Sequence, residues 1–365
     1  LRRPPRSTPL YSSAASDVYK RQSLYNSLTN SARNENKDLK TGAVKVPDIN
    51  LEKISTWYET EKKVYGEISI TDPESNMNFD SSSDFLEKKN LQEIQKFDGV
   101  ILVIRSFKNE SIPHPYGEVD FMNDIEQFVI ESRLIDAQII EKRISNLSDF
   151  DKSLNKQEKE NIEKKINLLK EFSTKIENGE SFYSDKISEE ERGLVDSTFL
   201  MSKSPIIIIL NSDEGEPIDN LKLENAKSLL NQDTKILQIP LKFEEELIGL
   251  SNQEIDDFRN ELGIENNIDQ FYSSILDISE TICFLTAGKK ECRSWILKKG
   301  SSAVEAAGKI HSDIARGFVR AEVVHIDEIL NYNSEKEAKE KGIIKGEGKN
   351  YIINSGDVVN FLFSV

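Results

Sequence analysis

The sequence predicts an α/β protein with a parallel sheet, a pair of long helices inserted into it, and a small α+β domain at the C-terminal end. Two unbroken apolar segments, Val100–Ile104 and Pro205–Leu210, are typical of buried parallel strands. Between them lie two charged stretches with apolar residues at helical spacing. After Thr281, short apolar segments and glycines replace the long helices.

Length and composition limit the class of protein. The chain has 365 residues with a net charge of −16, and 37% of its residues are hydrophobic, which favours a folded protein of two or three domains. Apolar runs such as Ile206–Leu210 are far shorter than the roughly 20 residues of a membrane span. Cys283 and Cys292 fit neither a disulfide framework nor a zinc site. We therefore expect a cytoplasmic protein that binds neither membranes nor DNA.

The charge is distributed unevenly along the chain. Residues 1–22 carry five Lys or Arg against one Asp, and residues 283–365 carry 13 Lys or Arg against 11 Asp or Glu. The acidity therefore lies between these two segments. An acidic protein does not coat nucleic acid, so any RNA contact requires a local basic surface.

The segment 1–22 at the start of the chain differs from the rest. Leu1 starts the chain, the first methionine is Met77, and three prolines interrupt the stretch up to Pro9. The stretch Ser12–Gln22 resembles translated sequencing-adaptor read-through, so we expect residues 1–22 to be non-native. A basic targeting arm is the alternative, although no amphipathic or apolar stretch follows it.

The inserted helices are predicted over Asp124–Leu147 and Glu158–Ile176. Their narrow apolar stripes, which include Ile135, Ile139 and Phe172, favour an antiparallel coiled-coil arm. Two ordinary surface helices are the alternative.

Other elements follow from capping residues, turn residues and periodicity. Helices are predicted at Leu24–Leu28, Asp48–Tyr58, Phe85–Gln95, Leu221–Leu230 and Ala303–His311, with acidic helices up to Ile278. Strands are predicted at Thr41–Pro47, Gly66–Ile70, Lys235–Ile239, Trp295–Leu297, Val319–Val324, Tyr351–Ile353 and Val358–Phe363.

The C-terminal part of the chain, from Thr281 onward, carries the most specific motifs of the sequence. They include Thr286-Ala287-Gly288, Arg293-Ser294-Trp295, Lys298-Lys299-Gly300, Ala306-Ala307-Gly308, Ile310-His311-Ser312-Asp313, Arg316-Gly317-Phe318 and Gly356-Asp357-Val358. This stretch closely resembles the TGS domain of the YchF-type Obg-like ATPases. The resemblance continues upstream at lower density, through Asn211-x-x-Glu214, Val103–Phe107, Asp124-Ile125-Glu126 and Thr41-Gly42, and covers residues 23–365.

The resemblance implies a P-loop NTPase-like parallel sheet with an inserted antiparallel coiled-coil arm and a C-terminal β-grasp, ubiquitin-like TGS domain. The implied domains are 23–122 and 204–282 for the two parts of a degenerate ATPase domain, 123–203 for the arm and 283–365 for the TGS domain. The family's activity implies ATP and Mg²⁺ as cofactors.

The resemblance also implies a base pocket. In this family N-x-x-E replaces the guanine-reading N-K-x-D, which implies ATP in preference to GTP. The pocket residues would be Asn211, Ser212 and Glu214 after the second apolar strand, with Leu241 and Lys242 in the adjoining loop. The alternative is a strand-end Asn followed by a solvated acidic loop.

The phosphate-binding part departs from the family. Its N-V-G-K-S-T-L-F-N aligns with Leu24-Tyr25-Asn26, which places Arg21, Gln22 and Ser23 at the K-S-T positions without a preceding glycine turn. Since residues 1–22 are expected to be non-native, we expect that they have overwritten the P-loop, of which Ser23 is a remnant, and the phosphate-binding residues are unknown.

Both switch regions also depart from the family. Asp72-Pro73-Glu74-Ser75 stands where D-x-x-G is expected, and no glycine occurs between Gly66 and Gly99. Residues 30–40 lack the first switch. Switches that sense a γ-phosphate use a glycine amide and a mobile backbone, so we expect impaired hydrolysis and assign no catalytic or metal-binding residues.

Two functions therefore compete. One is a monomeric, translation-associated ATP-binding protein that contacts the ribosome, rRNA or tRNA. The other is a nucleotide-independent pseudo-ATPase scaffold that binds through its TGS domain and arm. The candidate RNA-facing cations are Lys289, Lys290, Arg293, Lys298, Lys299, Arg316, Arg320 and Lys345. The histidines are scattered, and His311 is expected to make local hydrogen bonds at a helix end.

Overall fold

The computed structural model describes residues 8–12, 24, 28, 40–72, 97–109, 111, 114, 117–149, 155–178, 205–230 and 234–364. The predicted helix Phe85–Gln95 and the positions of Arg21, Gln22 and Ser23 lie outside these residues. The described residues fall into two compact units. One lies within Leu1–Leu10, Gln22–Pro73 and Leu241–Val365, and the other within Tyr11–Arg21 and Glu74–Pro240.

Three parallel strands form the sheet of the second unit. They are β5 (Val100–Arg105), β6 (Ile206–Asn211) and β7 (Lys235–Ile239), in that spatial order. All six residues of β5 and of β6 are buried, which is typical of strands in a parallel sheet. The two apolar segments were therefore correctly predicted as parallel strands.

The predicted helical arm is present. Helix α2 (Phe121–Asp149) and helix α3 (Lys156–Glu177) pack against each other through Ile140, Leu169 and Phe172, and only residues 150–154 connect them. So short a connection makes the helices antiparallel. The capping box of Asn155 and Glu158 fixes the start of α3. The first turns of α2 pack on β5 and β6, as does helix α4 (Asn220–Leu229).

The other unit contains two groups of strands. In the first, β2 (Lys40–Lys45) is antiparallel to β4 (Glu67–Asp72), and β4 is parallel to β1 (Thr8–Ser12). Residues 8–12 thus form a strand inside the segment predicted to be non-native. The origin of residues 1–22 remains a prediction.

The second group is a mixed six-stranded sheet that forms the C-terminal domain. Its spatial order is β11 (Lys345–Glu347), β10 (Phe318–His325), β12 (Asp357–Phe363), β8 (Thr281–Thr286), β9 (Cys292–Lys298) and β3 (Lys63–Val64). Strand β12 is parallel to β8 and β3 is parallel to β9, whereas the other pairs are antiparallel. The predicted strand Tyr351–Ile353 is wrong, because Ile352 forms only an isolated bridge with Ser302.

Each face of this sheet has its own core, since successive strand residues point to opposite faces. Phe284 lies on one face with Phe361 and helix α8 (Ala303–Ile310), which is followed by the short helix α9 (Ser312–Arg316). Leu285 lies on the other face with α10 (Ile326–Ile329) and α11 (Glu335–Glu340).

Helix α1 (Ile49–Tyr58) packs on that second face, although it comes from the N-terminal half of the chain. Its Leu51 and Ile54 are completely buried beside Leu285 and Val324. Asp48 caps its start, as the sequence predicted. Strand β3 then extends the sheet beside β9, so the C-terminal domain is completed by residues 48–64.

Three further helices precede the C-terminal domain. They are α5 (Leu241–Glu246), α6 (Asn252–Leu262) and α7 (Asn267–Ile278), which match the predicted acidic helices. None of the described helices is long and apolar enough to cross a membrane.

Candidate functional site

The carboxyl ends of β5, β6 and β7 lie at one edge of the parallel sheet. Arg105 pairs with Asn211, and Asn211 pairs with Ile239, so the three strands end level with one another. Ligands of parallel α/β sheets bind at this edge because the loops that follow the strands converge there. The predicted base-pocket residue Asn211 is the last residue of the central strand.

Asn211 and Ser212 are held firmly in the sheet edge. Each is 5% exposed. The carbonyl oxygen of Asn211 accepts a 2.8 Å hydrogen bond from the backbone N–H of Ser106, which ties the end of β6 to the end of β5. The side-chain amide of Asn has an NH₂ group that donates and a carbonyl oxygen that accepts, and the edge of a purine base also presents donors and acceptors.

Glu214 lies in the exposed turn that follows. Gly215 in the same turn has φ +68°, a left-handed conformation that glycine adopts without strain. The backbone N–H of Glu216 returns to the carbonyl oxygen of Asp213 at 3.4 Å. The motif therefore combines the buried Asn211 with a Glu214 carboxylate that is accessible to solvent three residues later.

Leu241 and Lys242 start helix α5 immediately after β7 and Pro240. Leu241 is fully buried, whereas the Lys242 side chain is 84% exposed and its Nζ lies 3.9 Å from Glu246 Oε1. Only Lys242 of this pair is available to a solvent-borne ligand.

The phosphate end of the site cannot be built from the described residues, because Ser23 and residues 30–39 and 73–75 lie outside them. Within the described part of the chain, no group of three or more His, Cys, Asp or Glu side chains could hold a metal ion. The base pocket at Asn211 stays a prediction, and no Mg²⁺ ligand is assigned.

Two buried polar groups near this edge were not predicted. Arg105 is 1% exposed at the end of β5, with its guanidinium carbon 5.8 Å from the Phe107 ring centroid. His114 Nε2 lies 3.2 Å from Asp124 Oδ2, and both side chains are almost fully buried. Asp124 is in the first turn of α2, so this contact fixes the loop after β5 against the arm. A single His ten residues before an Asp gives no sequence signal for such a pair.

The other two histidines cap helices. His311 Nδ1 accepts a 3.2 Å hydrogen bond from the backbone N–H of Asp313, and His325 Nδ1 accepts one of 3.3 Å from that of Asp327. The expectation of local hydrogen bonding at His311 is confirmed.

The eight candidate RNA-facing cations do not form one cluster. Lys289 and Lys290 lie in the turn before β9, whereas Lys298 and Lys299 lie at its far end, about 20 Å away for a seven-residue strand. Arg320 pairs with Leu362, which lies four residues beyond the β12 residue paired with Leu285. Arg320 therefore lies at the same height along the sheet as the turn that contains Lys289, two strands away from it.

Several of these cations already have partners. Arg293 lies 4.8 Å from the Trp295 ring centroid and its Nε lies 3.1 Å from Glu291 Oε1. Lys298 Nζ donates a 2.9 Å hydrogen bond to the carbonyl oxygen of Ser279. Arg316 pairs with Asp313, and Arg320 Nη2 lies 3.9 Å from Glu322 Oε1. Of the eight candidates, Lys289, Lys290, Lys299 and Lys345 are exposed and make no ion pair with a described residue.

The second face of the C-terminal sheet contains a cleft of about 250 Å³. Apolar side chains that include Val324 and Val358 line it, together with Glu322, Glu335 and Asn360. Lys339 Nζ lies 2.8 Å from Glu335 Oε1 and 3.6 Å from Glu322 Oε2, so the chain's own cation neutralises these carboxylates.

Comparison with known proteins identifies the family. Residues 281–364 match the family model YchF-GTPase_C, described as "Protein of unknown function (DUF933)". The chain is 32% identical over 333 residues to "Ribosome-binding ATPase YchF" of Bacillus subtilis, with 90% of each chain covered. It is 32% identical over 335 residues to the protein of that name from Mycoplasma genitalium, with 89% of each covered.

The fold is shared with a solved structure, "Structure of the Schizosaccharomyces pombe YchF GTPase". The TM-score is 0.82 over 99% of both chains at 21% sequence identity. The expected fold class is confirmed by this likeness and by the parallel sheet, arm and C-terminal domain described above. Since the 32% identity to the Bacillus subtilis protein extends over 90% of both chains, this protein belongs to the YchF family.

Proposed function

We propose that this chain is a monomeric, cytoplasmic ribosome-binding protein that binds ATP in preference to GTP and hydrolyses it poorly. The observation that carries the proposal is its 32% identity, over 90% of both chains, to a protein named as a ribosome-binding ATPase. The proposal extends that name to this chain and adds the nucleotide preference and the slow hydrolysis. DNA and membranes are not among the proposed partners.

The base end of the sheet supports nucleotide binding. Asn211 and Ser212 are fixed at the carboxyl edge of the central strand, and Glu214 lies in an accessible turn beside them. A carboxylate placed to accept from guanine N1 and N2 selects GTP, and the altered N-x-x-E loop removes that placement. We therefore assign the base contacts to Asn211, Ser212 and Glu214, and Leu241 and Lys242 stay candidates on the family resemblance alone.

The sequence supports poor hydrolysis. Asp72-Pro73-Glu74-Ser75 stands at the position of the family's D-x-x-G, and no glycine lies between Gly66 and Gly99. Without a glycine amide and a mobile backbone to sense the γ-phosphate, the switch cannot position the transferred group for hydrolysis. ATP would supply the energy-rich phosphate and Mg²⁺ would neutralise it, but this chain offers no assigned residue for that step.

The altered switch segments also favour a second function, a nucleotide-independent scaffold that binds ribosomes, RNA or proteins through the C-terminal domain and the arm. Thermal unfolding separates the two functions, because a ligand that binds only the folded state raises apparent stability. An increase in melting temperature with ATP, larger than with GTP, supports nucleotide binding. No increase at saturating ATP supports the scaffold.

Ribosome binding is tested by co-sedimentation with purified ribosomes. We expect the chain to pellet with them at low salt and to be released steeply as salt rises, because contacts to phosphates release counterions. Reversing two free cations, K289E/K290E, should weaken binding by about tenfold or more. The matched control K336E/K341E makes the same change of charge on and just after α11. Equal loss in both variants, or none in either, would count against the proposed surface.

A further inference from the structure

Helix α6 has an unusual relation to the core. It is well defined locally, since Ser251 and Glu254 form a capping box at its start and Gly263 ends it with φ +66°. Its apolar residues Ile255, Phe258 and Leu262 recur at spacings of three and four, which places them on one side of the helix. Such a stripe ordinarily faces the core.

Here the apolar stripe is left largely in solvent. Phe258 and Leu262 are each 46% exposed, and Ile255 is half-buried. Among the described residues of the helix, the buried one is Arg259, which is 6% exposed. An ion pair, rather than the apolar side chains, therefore anchors α6.

The anchor is bidentate. Arg259 Nη2 donates to both carboxylate oxygens of Glu244, at 2.9 and 2.8 Å, and the guanidinium lies 5.7 Å from the Phe243 ring centroid. Both charged side chains are buried. Since Arg259 adjoins Phe258 on the helix surface, the ion pair orients the helix and leaves Phe258 and Leu262 facing outward.

A row of acidic residues lies beside the apolar stripe. Glu254, Asp257 and Glu261 follow the same spacing of three and four and adjoin Phe258 on the side away from Arg259. Asp257 and Glu261 are exposed and make no ion pair within the described part of the chain. The face thus combines an apolar stripe with uncompensated negative charge, and we call it the α6 face.

We propose that the α6 face binds a basic amphipathic helical segment of a partner protein. The apolar side of that segment covers Ile255, Phe258 and Leu262, and its Lys or Arg residues pair with Asp257 and Glu261. Ile255, Phe258 and Leu262 recur at i, i+3 and i+7, which is the spacing at which an amphipathic helix presents apolar anchors to a partner.

Charge excludes the other occupants. Nucleic acid and anionic lipid are repelled by the acidic row. A second copy of this chain placed symmetrically on the α6 face would bring like carboxylates together, because such an interface uses the same residues from both copies. The proposed interaction does not depend on ribosome binding, because the α6 face is acidic whereas the surface proposed to contact the ribosome is basic.

The test uses the full chain and a fluorescein-labelled peptide of about 18 residues with Leu and Lys at helical spacing. A scrambled peptide of the same composition, which lacks an apolar side, is the control probe. We expect the amphipathic peptide to bind about tenfold more tightly than the scrambled one by fluorescence anisotropy. F258S/L262S should lower that affinity about tenfold, whereas L221S, which removes an apolar side chain that is 73% exposed on α4, should leave it unchanged.

A second variant tests the charges. D257N/E261Q changes only exposed side chains, so it leaves the fold intact, and we expect weaker binding with a smaller dependence on salt. Equal affinity for the two peptides, absence of binding, or unchanged binding in F258S/L262S overturns the proposal. Sedimentation of the free chain as a dimer that F258S/L262S abolishes also overturns it, in favour of a second copy as the occupant.

Discussion

The indole Nε1 of Trp57 donates a 2.7 Å hydrogen bond to the carbonyl oxygen of Tyr332, 275 residues later in the chain. Two more bonds of this kind flank it. Ser294 Oγ donates to Asp48 Oδ2 at 2.6 Å, and Thr60 Oγ1 donates to the carbonyl oxygen of Gly288 at 2.7 Å. The segment between β2 and β4 is thereby built into the C-terminal domain.

Replacing Trp57 should weaken this attachment. In Trp57→Phe the carbonyl of Tyr332 loses its donor, and we expect the free energy of unfolding to fall by about 1 kcal/mol. Trp57→Ala should cost more because packing against Tyr58 is also lost. Urea denaturation measures both. Ile49→Ser, on the same helix and 67% exposed, is the control and should change stability by less than about 0.5 kcal/mol.

Gly317 should tolerate no side chain. A Cβ built there would overlap the carbonyl oxygen of Ser364, while Ser364 N–H donates to the carbonyl oxygen of Gly317 at 2.9 Å. Relief requires backbone movement, so Gly317→Ala should destabilise the chain by about 2 kcal/mol or more. Gly348→Ala meets nothing within 4 Å and should be nearly neutral. Similar melting temperatures for the two variants would contradict this prediction, because they would show that the backbone at Ser364 moves away at little cost in stability.

Stability should fall in acid partly through Glu335. The hydrogen bond from Lys339 holds the pKa of Glu335 below its ordinary 4.5, and the hydroxyl of Tyr58 adds to this effect. A carboxyl with a lowered pKa in the folded state stabilises the fold above pH 4.5, and this contribution is lost as the pH falls through the folded-state pKa. Lys339→Met should therefore lose less stability than the parent between about pH 6 and about pH 3.5.

Lys336→Met on the same helix provides the comparison. The Lys336 side chain is 88% exposed and its Nζ lies 4.0 Å from Glu340 Oε1, so the acid profile of Lys336→Met should follow that of the parent. If the free energy of unfolding falls equally with pH in the parent, Lys339→Met and Lys336→Met, groups other than Glu335 cause the acid sensitivity.

Asn211 should be required for any stabilisation by ATP. Asn211→Ala removes the amide at the carboxyl edge of β6, and we expect the ATP-dependent rise in melting temperature to disappear. Glu214→Ala, an exposed change that spares the core, should reduce the same rise. Asn225→Ala replaces an exposed Asn on α4 and should leave it intact. An undiminished ATP effect in Asn211→Ala would remove this residue from the base pocket.

Periodicity and apolar runs predicted the main architecture. The segments Val100–Ile104 and Pro205–Leu210 became buried parallel strands, and the apolar stripes of the arm became the contact between α2 and α3. These signals are local, because each depends on residues within one element.

Long-range pairings had no such signal. Strand β3 consists of two residues, Lys63 and Val64, and exists only because it pairs with Cys292 and Arg293. Helix α1 was predicted, but its packing against Leu285 could not be, because an amphipathic stripe shows which side of a helix is buried and not which element covers it. The Arg259–Glu244 pair was missed for the same reason. In the candidate site, the sequence was sufficient to place Asn211 at the end of a strand. The burial of Arg105 and the contact between His114 and Asp124 could be recognised only in the structure.

The most direct test of the account is ATP turnover by this chain in the presence of purified ribosomes, measured beside the Bacillus subtilis relative under the same conditions. We expect the chain to co-sediment with ribosomes while its turnover number is lower than that of the relative by about tenfold or more, because the segment between Gly66 and Gly99 lacks the glycine amide that senses a γ-phosphate. Turnover equal to that of the relative would contradict the proposed loss of hydrolysis.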